Sequence, residues 1–67
     1  MNNKTTYCIT HHGAFIKEIL ADDFKETFVF RDRLKFYSEE TTLEILDYLK
    51  KISGDGNALQ AFKIEEL

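Results

Sequence analysis

The chain predicts an α+β fold: a small two-layer domain of order β-β-β-α-β, a mainly antiparallel sheet with one helix packed on one face. Three observations lead there. Runs alternating with period 2 fill the first half of the sequence, residues 38–53 repeat their apolar positions at helical spacing, and a last alternating run follows. One amphipathic helix and one apolar sheet face can bury each other in two layers, and these pieces allow little else.

The first run, Thr6 to His12, sets Tyr7, Ile9 and His11 against Cys8, Thr10 and His12. Gly13 accepts positive φ, so His11-His12-Gly13-Ala14 predicts a tight hairpin turn, with Ala14 to Leu20 as the second strand. Ala21-Asp22-Asp23 supplies the next turn. Phe24, Glu26, Phe28, Phe30, Leu34 and Phe36 then fall at even positions. That pattern predicts a third strand through Thr27–Arg31, a bend near Asp32, and core places for Phe28 and Phe30. Tyr7, Val29 and some of Ile16, Ile19 and Leu20 cannot all point under one helix, so the sheet's other face is expected to be partly apolar, with Tyr7 and Val29 placed on it.

Ser38 predicts the helix N-cap, with Glu39 and Glu40 complementing the dipole in the first turn. Thr42, Ile45, Leu46, Leu49 and Ile52 gather on one arc, and Lys50 and Lys51 precede an end at about Ser53, before Gly54. Asp55-Gly56-Asn57 reads as a turn and Leu59 to Ile64 as the closing strand, with Phe62 and Ile64 on one face.

Length and composition bound the function. A domain of this size, 67 residues, buries only about 60% of the surface its unfolded chain exposes. A single domain, 1–67, is therefore expected, with residues 1–5 as a flexible N-terminus. The composition, 43% hydrophobic and 31% charged, is that of a folding chain and not a disordered tail. One cysteine closes no intrachain disulfide, no run approaches the ~20 apolar residues of a membrane span, and the polar start does not look like a secretory signal. The expectation is a cytoplasmic protein with a free thiol. Residues 1–37 carry six Lys/Arg and five Asp/Glu, against three and seven in 38–67. The net charge of −3 argues against broad binding to nucleic acid or an anionic membrane.

Three stretches are candidates for chemistry. Cys8, His11 and His12 lie within five positions, but in a strand Cys8 and His12 share one face and His11 takes the other. A zinc site needs three or four ligands converging at about 2.0–2.3 Å, and Asp22 or Asp23 would have to fold back to complete it. No metal or cofactor is therefore expected: Cys8 reads as a small buried hydrophobe and the histidines as polar residues of a hairpin tip. A Cys-His nucleophilic pair would need a substrate pocket that so small a core leaves little room for, so an enzyme is the least expected class and no residue is assigned a catalytic role. The run Lys25 to Tyr37 interleaves cations with aromatics and invites a nucleic-acid reading through a Lys25–Lys35 basic edge. Strand alternation would, however, send Phe28 and Phe30 away from Arg31, whereas base stacking needs both on one side. Finally, Glu40, Glu44 and Asp47 cluster opposite the helix's apolar arc with Tyr48 beside them, a strip able to meet a basic protein partner.

Taken together, Tyr7-Cys8-Ile9, Gly13 to Ile19, Phe28-Val29-Phe30, Leu34-Lys35-Phe36 and Ser38-Glu39-Glu40 resemble small uncharacterised proteins encoded by phages and prophages of low-GC Gram-positive bacteria. The resemblance lies in pattern and transfers no site. It implies an accessory protein that acts by binding a host or phage protein. The expected function is thus a protein-binding module, monomer or homodimer, using the acidic helix face or the open sheet face.

Overall fold

The computed structural model describes residues 4–66. Four strands, β1 (Lys4–His11), β2 (Ala14–Ile19), β3 (Phe24–Thr27) and β4 (Leu59–Glu66), form one sheet of order β3-β2-β1-β4, and a single helix, α1 (Glu39–Ile52), packs on it. Every pairing is antiparallel. The expected α+β order is the observed one. Among the described residues, no helix is long and apolar enough to cross a membrane. Of the five N-terminal residues expected to be flexible, residues 1–3 lie outside the described residues, while Lys4 and Thr5 pair with Glu66 and Glu65.

The β1–β2 hairpin turns through two residues of positive φ, His12 at 54° and Gly13 at 84°. Both central residues are left-handed, as in the tight turn whose twist matches that of paired strands. His12 is thus a turn residue and not the last residue of the strand. Only Thr10↔Phe15 and His11↔Ala14 pair β1 with β2, and the β2–β3 register slips between Ile16 and Glu18. The strands part beyond that point, and residues 34–36 fill the gap. Leu34 N–H donates to Ile16 O at 2.9 Å, and Tyr7 and Phe36 exchange both backbone bonds at 2.8 Å.

This arrangement corrects the third strand, which spans Phe24–Thr27 and not Thr27–Arg31. The cause is local. Thr27 Oγ1 accepts from Val29 N–H at 3.0 Å, and Asp32 and Arg33 N–H donate to Val29 and Phe30 O, winding Phe30–Asp32 into a 3₁₀ turn. Alternation stops there, so Phe28 is 83% exposed and Phe30 46% exposed, and neither belongs to the core. Arg33 is buried instead. Its guanidinium lies 3.7 Å from the Phe30 ring centroid and donates through Nη1 to Phe30 O at 2.9 Å.

The helix starts as its sequence dictates. Ser38 Oγ accepts from Thr41 N–H at 3.2 Å, Thr42 Oγ1 donates to Ser38 O at 2.7 Å, and Ser53 N–H closes the C-terminus on Leu49 O. Cross-strand partners share a sheet face, which sorts the side chains. Ile9, Ile16, Leu49 and Leu59 form the buried core under α1, ringed by Ile19, Phe24, Phe36, Ile45, Leu46, Ile52 and Ala61. Tyr7, opposite Lys63, is on this helix side too, lining a groove with Glu39, Thr42 and Leu43; its expected place on the outer face is wrong because it shares a face with Ile9, and that face is the one α1 covers. Val29, also expected on the outer face, lies in the segment after β3. Thr6, Cys8 and Thr10 take the outer face with Phe15, Phe62 and Ile64. Cys8 is fully buried, as expected, and burial pushes its thiol pKa up, with the Arg33 charge acting the other way.

Truncating Leu49 to Ala should cost ~2–5 kcal/mol, a large share of a small domain's stability, because it empties the centre of the core. Phe28→Ala should change stability by no more than about 0.5 kcal/mol. Urea unfolding of both variants checks this; a Phe28→Ala loss equal to that of Leu49→Ala would contradict the exposed position.

Candidate functional site

The hairpin tip and the loop after α1 meet. His11 ends β1 on the helix side, opposite Leu59, so its ring faces the end of the sheet where α1 gives way to β4. The positive φ of His12 breaks strand alternation and turns the second imidazole towards the first, with ring centroids 4.5 Å apart. His12 N–H donates to Ala58 O at 3.2 Å and Ala58 N–H to Asp55 O at 2.9 Å, which ties the 55–58 turn to the hairpin.

Asp55 stands between the two rings. Its Oδ1 is 2.9 Å from His11 Nε2 and its Oδ2 is 2.6 Å from His12 Nε2. Ser53 Oγ donates to Oδ1 at 2.6 Å and accepts from Asp55 N–H at 3.3 Å. On the far side of His11, Nδ1 bonds to Glu26 Oε2, and the ring meets Phe24 edge-on at 5.1 Å. The side chain of His11 is 15% exposed and that of His12 is 64% exposed. The Ser53 hydroxyl, then the two imidazoles, hold the Asp55 pKa far below the usual carboxylate range. The Asp55 hydrogen bond raises the His11 pKa above its ordinary value; burial opposes it, and the Glu26 hydrogen bond adds to the rise. One atom each from His11, His12 and Asp55 lie within 4.8 Å of one another, a spacing open to a metal ion.

Sequence reasoning isolated the histidines but not their carboxylate. Asp22 and Asp23, the carboxylates weighed as ligands, stand in the loop at the other end of β2. Asp55 is 44 positions from His11, and only the β1–β4 register joins them. An Asp-Gly turn closing a helix beside a strand was the available signal.

The acidic strip lies where the helical period puts it. Glu40, Glu44 and Asp47 are exposed on α1, although Asp47 pairs with Lys51 at 3.4 Å. Tyr48 differs from its partners: its hydroxyl donates to Ala21 O, fastening the helix to the β2–β3 loop. In the basic run Lys25 pairs with Glu18 at 3.8 Å and Arg33 is buried. Arg31 and Lys35 are exposed in the same irregular segment as Phe28 and Phe30, so the separation of cations from aromatics expected of a strand does not arise. Arg33 Nη2 is 3.5 Å from Glu66 Oε2, close enough for attraction but without a hydrogen bond; Arg33 Nε and Thr6 Oγ1 likewise lack a hydrogen-bond partner among the described residues. The groove under Tyr7 has a volume of about 230 Å³, below the ~300–1,000 Å³ usual for small-molecule sites. No protein-family model, no curated protein and no solved structure matches the chain.

The His11–Asp55 pairing sets a pH dependence in metal-free protein. His11 is raised from 6.5, so its contribution is complete below that value and fades as pH rises through the folded pKa. Asp55 is depressed from 3.8, so its contribution holds above that value and fades as pH falls towards the folded pKa. The thermal midpoint should peak between these limits and fall from pH 6 to pH 8, with a flatter alkaline limb in His11→Asn. A wild-type midpoint constant from pH 6 to pH 8 would contradict the ion pair.

Proposed function

We propose that the chain is a small accessory protein that acts by binding another protein, and that its contact surface is the aromatic outer side of the sheet. A single observation carries this reading: the exposure of Phe28, Val29, Phe30 and Phe62 at 83%, 47%, 46% and 44%. Phe30 packs edge-on against Phe15 at 5.4 Å, and Phe62 lies on the same outer face as Phe15. Aromatic side chains held at a surface supply large contact area at little entropic cost, as interface anchors do. A role in a phage or prophage, implied by the sequence resemblance, belongs to this reading.

Two other surfaces offer alternatives with different physics. The acidic strip of Glu40, Glu44 and Asp47 suits a basic protein. The exposed Phe28 and Phe30 beside Arg31 and Lys35 suit single-stranded nucleic acid, where bases stack on aromatics and cations meet phosphates.

Immobilised wild-type protein should capture its partner from host lysate equally well at low and high salt, because apolar contacts are not screened. Phe28→Ser/Phe62→Ser should lose capture, and the triple variant Glu40→Lys/Glu44→Lys/Asp47→Lys should retain it. The reverse pattern, with binding that weakens with salt, would transfer the function to the helix. Salt-sensitive binding of a labelled single-stranded oligonucleotide, lost in the Phe28 variant, would establish the nucleic-acid reading instead.

A further inference from the structure

We propose that His11, His12 and Asp55 form an open binding site for a borderline divalent cation of the zinc type, with Glu26 orienting His11 from behind. Imidazole nitrogen with one carboxylate is a donor set that suits zinc and its late first-row neighbours, whereas calcium and magnesium select all-oxygen sites. Both histidines present Nε2, and both Nε2 atoms already converge on one carboxylate at 2.9 and 2.6 Å. Tetrahedral bonds of about 2.0–2.1 Å separate neighbouring ligand atoms by about 3.3 Å. A cation entering this cluster therefore needs each hydrogen-bonded nitrogen–oxygen pair to open by less than an ångström and the three ligand atoms, all within 4.8 Å of one another, to draw to that spacing, displacing the protons that now link them.

Adjacent histidines in a regular strand point to opposite faces and cannot share an ion. Here the left-handed backbone at His12 removes that obstacle. Glu26 holds Nδ1 of His11, the outer-shell carboxylate–histidine contact that leaves Nε2 for the metal and fixes the ring's orientation. Two hydrogen bonds with Ser53, one donated by its hydroxyl and one accepted from Asp55 N–H, hold Asp55 in place before any ion arrives. Three protein ligands leave at least one coordination position for water or a donor from another molecule, as in zinc sites that are not purely structural. Cys8 takes no part, being buried on the opposite sheet face.

Calorimetric titration of the untagged full chain with zinc chloride should give one ion bound per chain. His12→Asn tolerates the positive φ and Asp55→Asn keeps the side-chain volume; each should weaken binding by tenfold or more, and Glu26→Gln by about 10–100-fold. Far-ultraviolet circular dichroism checks that each variant is folded. In wild-type protein, which needs no substitution, zinc should shift the Nε2 resonances of both imidazoles in ¹⁵N spectra. Absence of binding up to millimolar zinc, variants that bind as tightly as wild type, or imidazole resonances unmoved by zinc would overturn the site.

Discussion

Eight consecutive residues of β1 pair with β4, from Lys4↔Glu66 to His11↔Leu59. A slip of one residue along that ladder would send Leu59 and Ala61 to the outer face and empty the floor beneath α1. The same ladder decides where the chain's chemistry lies. It places His11 beside the start of β4, and therefore beside the loop that carries Asp55. Core and histidine cluster are thus two consequences of one register, and neither could move without the other.

The hairpin partner of β1 is held far more loosely, by two residue pairs. The sheet compensates with a wedge, residues 34–36, whose backbone bonds to both separated strands. Accommodating that wedge requires the chain to cross the outer face first, and the crossing segment carries Phe28, Val29, Phe30 and Arg33. A buried guanidinium with incomplete hydrogen bonding is costly unless other contacts offset it. Stacking on Phe30 and the nearby Glu66 carboxylate supply part of that offset. The outer face is therefore partly covered by Phe30 and Arg33 and leaves Phe62 exposed.

Local signals were legible in the sequence where local physics decides the outcome. Ser38, the 3.6-residue apolar period and the two lysines before Ser53 bound the helix closely, and Gly13 marked the hairpin. The third strand is shorter than its even spacing of phenylalanines implies, because the Thr27 side chain turns the backbone and Arg33 is buried in place of Phe28 and Phe30. Tyr7 was misplaced for a different reason: alternation tells which residues share a face, but only register tells which face meets the helix. Asp55 was invisible for the same cause, since its meeting with the histidines depends on pairing across nearly the whole length of the chain. Long-range register is carried by the sum of many weak preferences and has no motif of its own.

That long-range ladder also governs the order in which the molecule can assemble. The β1–β2 hairpin and α1 rest on contacts local in sequence, whereas β1 gains its second partner only when β4 closes on it across nearly the whole chain. Closure over so long a loop is slow compared with helix or hairpin formation. Any opening of that ladder uncovers Ile9 beside an unpaired strand edge, the kind of surface that other chains, or a chaperone, can bind.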